Sequence, residues 1–324
     1  MRSLALAVDF GGTKVDAALV DDGGAVLPDS RFRATTGPSK SSAELRSAVQ
    51  SVVTRALGAR SAPQRLIGIG IGSAGPIGLD RGLVSPVNLP VWREFPLRAT
   101  VEDAAREAGF ASPAVLRLDG LCITVAEACY GAARGYASVL GMVVSTGVGG
   151  GLITDGQLVS GRSGNAGHIG QIEVPGFTGP GEDCTLEAIA SGPRTVAWAN
   201  DQGWAGTTGH DVARAHAEGH PIARRAVQRS AAAVGRAIAS VTTLLDLDCV
   251  VIGGGFAQVT VDYIDQVRDA ARNYASLGYA ADVQLHPAGL GSDGPLVGAA
   301  ALVHGGPVDA ARAESALARP AATV

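Results

Sequence analysis

Three glycine-rich segments have the composition of turns that bind phosphate groups. Residues 9–14 (DFGGTK) and 145–151 (STGVGGG) each lie between two apolar runs, and residues 253–256 (GGGF) follow a third. Glycines let backbone N–H groups approach an anion, and a carboxylate such as Asp9 can hold Mg²⁺ through water. One such segment alone would suit an ordinary hairpin turn. Three of them predict a nucleotide site, although none has the spacing of a P-loop or a Rossmann glycine motif.

An acid lies between an apolar strand and a predicted helix. Asp119 follows the run AVLRL and precedes the apolar pattern of residues 123–135. Asp119 is suited to capping the helix that follows it, and this would not prevent a second role in a site at the same place.

Residues 164–184 (GNAGHIGQIEVPGFTGPGEDC) contain only part of a metal site. They hold one histidine, His168, and one cysteine, Cys184, whereas a structural Zn²⁺ needs about four nitrogen or sulfur ligands. We therefore expect no zinc here, and we expect glycine and proline to shape the loop. The other histidines show no ligand spacing and are expected on the solvated surface: His210, His216, His220, His286 and His304.

The elements that would position these residues occur as a repeat. Residues 3–27 and 138–161 both have the pattern strand, glycine turn, strand, Asp-Gly turn and third strand. A repeated unit of this size, with helices after each copy, predicts two α/β domains that face a cleft, with ligands beyond the carboxyl ends of the strands. Helices are expected at residues 41–58, 100–109, 123–135, 184–201, 221–246 and 260–275, with Ser41, Thr100 and Pro221 at their starts.

The predicted boundary between the two domains lies just before Asp119. Residues 1–117 would form the smaller N-terminal α/β domain, which a C-terminal helix at about residues 296–312 would join, and residues 118–295 would form the larger one. The Ala-rich tail after this helix is expected to be a helix that frays.

Composition disfavours several other classes of protein. The chain has 324 residues, of which 46% are hydrophobic, and this is enough for a large aliphatic core. Its net charge of −4 comes without a basic block, so we expect no nucleic acid partner. Four scattered cysteines fit a reducing cytoplasm. No stretch approaches the ~20 apolar residues of a membrane helix, so we expect no membrane association.

Taken together, the motifs resemble those of the ROK family (repressors, open reading frames, kinases), which are sugar kinases of the actin-like ATPase (ribonuclease H-like) fold. The resemblance covers nearly the whole chain. It implies an α/β protein that uses ATP and Mg²⁺, acts on a small-molecule sugar or cyclitol, and forms a homodimer. The matching segments are AVDFGGTK, GIGSAGPI with SPVNLPVW, STGVGGGL, CVVIGGG and GPLVGAA.

The resemblance assigns a role to each candidate residue. Asp119 takes the position of the catalytic base. The acceptor would be bound by Asn88, His168, Gln171 and Glu187, together with Asp119, and Glu187 has an alternative role as a first-turn helix acid placed for the helix dipole. Phosphates, metal and nucleoside would be held by Asp9, Gly11, Gly12, Thr13, Lys14, Thr146, Gly147, Gly149, Gly253, Gly254 and Gly255.

Several positions depart from the family pattern on the acceptor side. Leu118 stands where the family has an Asn that bonds a sugar hydroxyl, and Leu121 where a second Asn is frequent. His168 occupies the place of a Glu, and Gln171 that of the His that binds zinc and sugar. Three cysteines are reduced to Cys184, which lies one residue out of register. These changes imply that zinc has been lost and that the acceptor differs from glucose.

We therefore expect a cytoplasmic ATP-dependent kinase that phosphorylates a primary hydroxyl of a hexose, amino-hexose or sugar-like cyclitol. Polyphosphate remains an alternative phosphoryl donor. The alternative function is a catalytically weak sugar- or ATP-binding sensor or regulator of the same family. Because the first phosphate strand is expected to begin at residue 3, we expect no helix-turn-helix before it, and this disfavours the DNA-binding version of that alternative.

Overall fold

The computed structural model describes residues 2–61, 64–86 and 92–305, and these contain two five-stranded sheets. The first sheet consists of β1 (Ser3–Phe10), β2 (Lys14–Asp21), β3 (Phe32–Thr35), β4 (Arg65–Ser73) and β7 (Ala114–Leu118). The second consists of β8 (Val139–Val144), β9 (Val148–Thr154), β10 (Gln157–Leu158), β11 (Cys249–Gly253) and β12 (Gln284–Pro287). A small ribbon pairs β5 (Ile77–Gly78) with β6 (Leu83–Val84). The strand order is β3-β2-β1-β4-β7 in the first sheet and β10-β9-β8-β11-β12 in the second.

Helices cover the sheets and connect them. The first five are α1 (Ser42–Gly58), α2 (Leu97–Glu107), α3 (Asp119–Tyr130), α4 (Leu186–Ala190) and α5 (Gly192–Asp201). The others in the described residues are α6 (Gly209–Ala217), α7 (Pro221–Leu245), α8 (Tyr263–Tyr274), α9 (Gly278–Ala281) and α10 (Gly294–His304). None of these helices has the length and apolar character needed to cross a membrane.

The predicted repeat is confirmed by the strand pairing. In each sheet an antiparallel hairpin, β1–β2 or β8–β9, is extended on its first strand by parallel partners, β4 and β7 or β11 and β12. The third strand of the first copy was expected directly after the turn at residues 21–24, and this was wrong. Val26 makes only a single bridge to Val20, and the third strand is β3. Pro28 and the left-handed Asp29 (φ 60°) interrupt the chain between them.

The predicted helices are present, and three of them differ clearly from the prediction. Helix α3 covers Asp119–Tyr130 rather than residues 123–135. Residues 184–201 form two helices rather than one, because Ser191 is extended (φ −65°, ψ 153°) and Pro193 starts a new helix. α2 begins at Leu97, so Thr100 is not its cap and instead donates to the carbonyl of Pro96. The capping box of Ser41 and Glu44 is confirmed. The described part of the C-terminal helix is α10, and the tail lies outside the described residues.

Helix α3 lies between the two sheets, and glycines allow its backbone to come close to strand β9 of the second sheet. A Cβ on Gly120 would collide with the carbonyl of Gly150 in β9, and one on Gly151 would meet the backbone of Leu121. On its other side α3 packs with α10 against Ala5, Ala7 and Ala18 of the first sheet. The first turn of α3, which begins at Asp119, is therefore fixed where the sheets meet. The predicted boundary before Asp119 falls between β7 and α3, and it stays a prediction.

Candidate active site

A row of charged side chains crosses the carboxyl end of the first sheet. Strand pairing places Asp9 opposite Asp16, and Asp16 opposite Arg33. Asp16 is only 1% exposed. Arg33 donates to both of its oxygens at 2.6 and 2.7 Å, and Arg31 donates at 2.9 Å. Burial opposes the charge of Asp16, but these hydrogen bonds outweigh it and lower the pKa of this carboxyl.

The pKa of Asp9 is shifted in the opposite direction. Burial raises its pKa to about 7, and the nearby carboxylates of Asp119 and Asp16 add to the rise, whereas Lys14 and Arg31 oppose it. Asp9 and Asp119, predicted from separate motifs, are therefore brought together at one end of the sheet. A buried carboxyl such as Asp9, with Lys14 nearby, suits a site that holds Mg²⁺ through water together with phosphates.

The first glycine loop is held by a residue that the sequence did not indicate. Thr36, which follows β3 and is 8% exposed, donates from its backbone to the Thr13 carbonyl and from its hydroxyl to the Gly11 carbonyl, each at 2.9 Å. The Gly11 N–H closes the loop on the carbonyl of Lys14, also at 2.9 Å. Gly12 and Lys14 are half-buried, and Thr13 is exposed. Three hydrogen bonds thus hold the backbone of the loop, while Thr13 at its tip is exposed.

Asp119 lies in the first turn of α3, and Leu118 is the residue that precedes the helix. The N–H of Gly120 donates to Oδ1 of Asp119 at 2.7 Å. Burial raises the pKa of the Asp119 carboxyl, whereas the Gly120 hydrogen bond and the charge of His168 act in the opposite direction. Leu118 is 3% exposed and belongs to the hydrophobic core around the first sheet. A Cβ on Gly75 would collide with Leu118 and would lie 3.1 Å from Nε2 of His168, so these three residues converge beside Asp119.

His168 is fixed in one tautomer by its neighbour. Its Nδ1 lies 3.0 Å from the carbonyl oxygen of Asn165. Because a carbonyl can only accept, Nδ1 carries the proton and a neutral ring keeps a lone pair on Nε2. The side chain of Asn165 in turn exchanges two hydrogen bonds of 2.8 Å with the backbone of Ile77, which attaches this loop to the ribbon of the first domain.

Glu187 connects Gln171 to the second glycine loop. Its Oε2 accepts from the backbone of Val148 at 2.9 Å, and its Oε1 lies 3.4 Å from the side-chain nitrogen of Gln171. Glu187 lies in the first turn of α4, whereas Gln171 is exposed at the end of the 3₁₀ turn Ile169–Gln171. Asn88, the remaining predicted acceptor residue, lies outside the described residues.

The second and third glycine loops are in contact with each other. Gly254 has a φ of 101°, and a Cβ there would meet the backbone of Val144. Gly253 ends β11, and a Cβ on Gly255 would lie 3.7 Å from the hydroxyl of Ser145. Thr146 and Gly147 form the turn before β9, Thr146 is exposed, and Gly149 lies within the strand, paired with Val143.

Two residues of this region were missed by the sequence analysis. The N–H of Gly192, at the start of α5, donates to the carbonyl of Ser145 at 2.8 Å. Phe256, which is 5% exposed, packs against Gly192 and Gly209. The signal for this contact was the Ser-Gly-Pro helix start at residues 191–193, which was hidden inside the single helix predicted there.

Three of the other histidines are not simply solvated. His286 lies 3.1 Å from the Tyr136 hydroxyl, and His304 lies 3.1 Å from the carbonyl of Val20. His220 is half-buried and immediately precedes α7. Surface placement was therefore wrong for His286 and His304, because each lies in a contact between elements that are distant in sequence, whereas His220 is only partly shielded from solvent. His210 is exposed as predicted.

Comparison with known proteins places this geometry in a family. The ROK family model matches residues 5–305. The chain belongs to the ROK family. It is 33% identical, over 306 residues, to an N-acetylmannosamine kinase of Salmonella paratyphi B, and the match covers 93% of this chain and 98% of that protein.

Two solved ROK structures share the fold of this ROK protein. A glucokinase from Streptomyces griseus, in complex with glucose and AMPPNP, superposes with a TM-score of 0.77 at 28% identity, covering 94% of this chain and 100% of that one. A hexokinase from Thermus thermophilus gives a TM-score of 0.74 at 31% identity, covering 93% and 97%. The ROK chain thus has the actin-like ATPase fold with two α/β domains, as predicted.

Proposed function

We propose that this ROK protein is an ATP-dependent carbohydrate kinase in which Asp119 is the general base. The observation that carries the proposal is the convergence of Asp119 with Asp9 at the end of the first sheet, beside a rigid glycine loop. The names of its relatives, N-acetylmannosamine kinase and glucokinase, support the same reaction class.

Asp119 is suited to removing a proton from the acceptor hydroxyl. One of its oxygens accepts from Gly120, so the carboxylate is oriented and the second oxygen can accept from the substrate. Burial raises its pKa and therefore its basicity, while His168 limits the rise. A carboxylate that is more basic than usual takes up the proton of the attacking hydroxyl more readily.

The phosphate groups would be held by the two hairpin loops, residues 9–14 and 145–151. In the first, Gly12 and Thr13 would offer backbone N–H groups and Lys14 would offer a charge. The N–H of Gly11 is bonded to the Lys14 carbonyl, so Gly11 would contribute only the space that its missing side chain leaves. In the second, Thr146 and Gly147 would offer backbone N–H groups. Mg²⁺, which Asp9 would hold through water, neutralises charge on the transferred phosphoryl group. Gly253, Gly254 and Gly255, together with Phe256, would border the nucleoside.

The acceptor side favours an amino-hexose or a cyclitol over glucose. Nε2 of His168 offers a neutral acceptor to an N–H or O–H group. Leu118 offers no polar group next to the base, and it is buried against Gly75. The N-acetylmannosamine kinase relatives support an amino-sugar acceptor. A site that lacks a hydrogen-bond partner for one sugar hydroxyl binds that sugar less well.

Release of ADP in a coupled assay tests the proposal directly. The panel should hold glucose, mannose, N-acylated amino-hexoses and cyclitols, with ATP and Mg²⁺, and polyphosphate as a second donor. We expect turnover with ATP and a preference for an amino-hexose or cyclitol. Binding of ATP without turnover on any acceptor would instead support the sensor function, and glucose as the best acceptor would contradict the acceptor assignment.

A further inference from the structure

The loop that carries a metal in the family pattern is closed by its own backbone at its base. We define the acceptor loop as residues 172–185, between the 3₁₀ turn at Ile169–Gln171 and α4. The N–H of Leu186 donates to the carbonyl of Ile172 at 2.9 Å, and the N–H of Val174 donates to the carbonyl of Cys184 at 2.8 Å. These bonds hold the base of the loop but leave its outer part, residues 175–183, to be fixed by something else.

The side chains around the acceptor loop do not fit a structural zinc ion. Gln171 offers an amide whose nitrogen is directed at Glu187, and Nδ1 of His168 is bonded to Asn165. Cys184 offers a single thiol. Within the described part of the chain, no three His, Cys, Asp or Glu side chains are grouped so that they could hold a metal ion. A closed zinc site requires about four such ligands.

Two arginines of the long helix α7 contact the outer part of the loop instead. Arg229 donates to the carbonyl of Phe177 at 2.8 Å, and Arg236 donates to the carbonyl of Pro175 at 2.5 Å. The two arginines are seven residues apart, which is two helical turns, so they lie on the same face of α7. Each guanidinium also lies over an aromatic ring, 5.4 Å from Trp198 and 5.1 Å from Tyr274, respectively.

Arg229 also connects the loop to the helix that carries Glu187. Its second terminal nitrogen donates to the carbonyl of Ile189, in α4, at 3.0 Å. Glu187 on the same short helix binds the backbone of Val148 and lies near the side chain of Gln171. A continuous set of contacts therefore runs from α7 through α4 to the residues proposed to face the acceptor.

We propose that Arg229 and Arg236 are positioning residues that hold the acceptor loop in the place of a metal ion. The two guanidinium groups fix two loop carbonyls from outside, which is the mechanical role that a bound cation would otherwise have. Neither arginine is proposed to touch the substrate. The inference rests on the proposed function, since it is the acceptor site that the loop would shape.

We call the contacts of Arg229 and Arg236 with the acceptor loop the arginine clamp. Hydrogen exchange of residues 173–185 tests this clamp without any need for turnover. The variants are Arg229→Ala and Arg236→Ala, with Arg225→Ala as the control, because Arg225 is exposed on the same helix. We expect exchange in the loop to be at least ~10-fold faster in the first two variants and unchanged in the control and in wild type treated with a chelator. Arg236 makes one such bond at the surface, so its variant should fold.

Kinetics separate a positioning role from a general structural one. Removing either arginine should raise KM for the acceptor by ~10-fold, while KM for ATP changes less than ~2-fold. Lysine should restore function at Arg236, which donates to one carbonyl, and only partly at Arg229, which bridges two. Unchanged exchange in both alanine variants, or faster exchange after chelation with about one zinc per chain, would overturn the clamp. Absence of sugar turnover in wild type would contradict the proposed function alone, since the exchange result would still decide the clamp.

Discussion

Replacing Asp9 with Asn is expected to stabilise the protein while it removes activity. Burial and the neighbouring carboxylates of Asp119 and Asp16 raise the pKa of Asp9 from 3.8 to about 7. At about 1.36 kcal/mol per pKa unit, that rise corresponds to an upper limit of about 4 kcal/mol of disfavoured charge. Asp9 is half-buried, so screening by water reduces the figure, and we expect a gain of about 1–3 kcal/mol in the free energy of unfolding.

The gain in the free energy of unfolding for Asp9→Asn should increase as the pH rises. Because the pKa of Asp9 is higher in the folded than in the unfolded chain, ionisation of Asp9 costs stability. The cost is absent below about pH 4, grows as the pH rises towards 7, and is constant above it. Asn carries no such cost, so the advantage of Asp9→Asn should grow over the same interval. Urea unfolding between about pH 4 and pH 8, without nucleotide or magnesium, measures it.

Asp16, directly opposite on the neighbouring strand, is the matched control with the opposite sign. Its pKa is lowered by Arg33 and Arg31 against the effect of burial, so its charge stabilises the folded state. Asp16→Asn should therefore destabilise the protein at neutral pH, and the loss should shrink as the pH falls through the carboxylate range. If Asp9→Asn is destabilising at about pH 8, or if its effect does not change with pH, the electrostatic reasoning is refuted.

Three further predictions address the chemistry. Asp119→Asn should bind ATP normally, as measured by calorimetry, but reduce kcat by ~10² or more; near-normal kcat would exclude Asp119 as the base. Leu118→Asn should improve kcat/KM for glucose relative to the preferred acceptor by ~1–2 kcal/mol, with circular dichroism as the folding control because Leu118 is 3% exposed; no change in this ratio would contradict a missing hydroxyl partner there. Elemental analysis of the purified protein should find no stoichiometric zinc, and chelators should not lower its melting temperature; about one zinc per chain would contradict this.

The elements of the fold were predictable because their signals are local. Glycine turns between apolar runs, the capping box at Ser41 and the proline at residue 221 each act within a few residues of the chain. The pairing of Asp9 with Asp16 could also have been predicted from the sequence, although we did not predict it. Once residues 11–14 are taken as the hairpin loop, antiparallel pairing places Asp16 directly opposite Asp9. The charged row could therefore have been predicted as far as Asp16.

The partners of that row could not be predicted, because they come from distant parts of the chain. Arg31 donates to Asp293, 262 residues away, at 2.6 Å, and this contact joins the first sheet to the start of α10. The contacts of the arginine clamp could not be predicted from the sequence for a second reason. Arg229 and Arg236 bind backbone carbonyls, which every residue carries, so no side-chain pattern in residues 173–185 marks them as partners.

The replacement of a family Glu by His168 changes the charge beside the base. A carboxylate at this position would repel the ionised form of Asp119 and add to the rise in pKa that burial already causes. His168 acts in the opposite direction and lowers the pKa of Asp119. That effect requires a protonated ring, whereas a neutral ring, with Nδ1 bonded to Asn165, has Nε2 as an acceptor for the substrate. The exchange therefore replaces a negative charge beside the base with a side chain that is never negative and that, when neutral, can accept a hydrogen bond, which is consistent with a kinase whose acceptor pocket has changed while its phosphoryl chemistry has been kept.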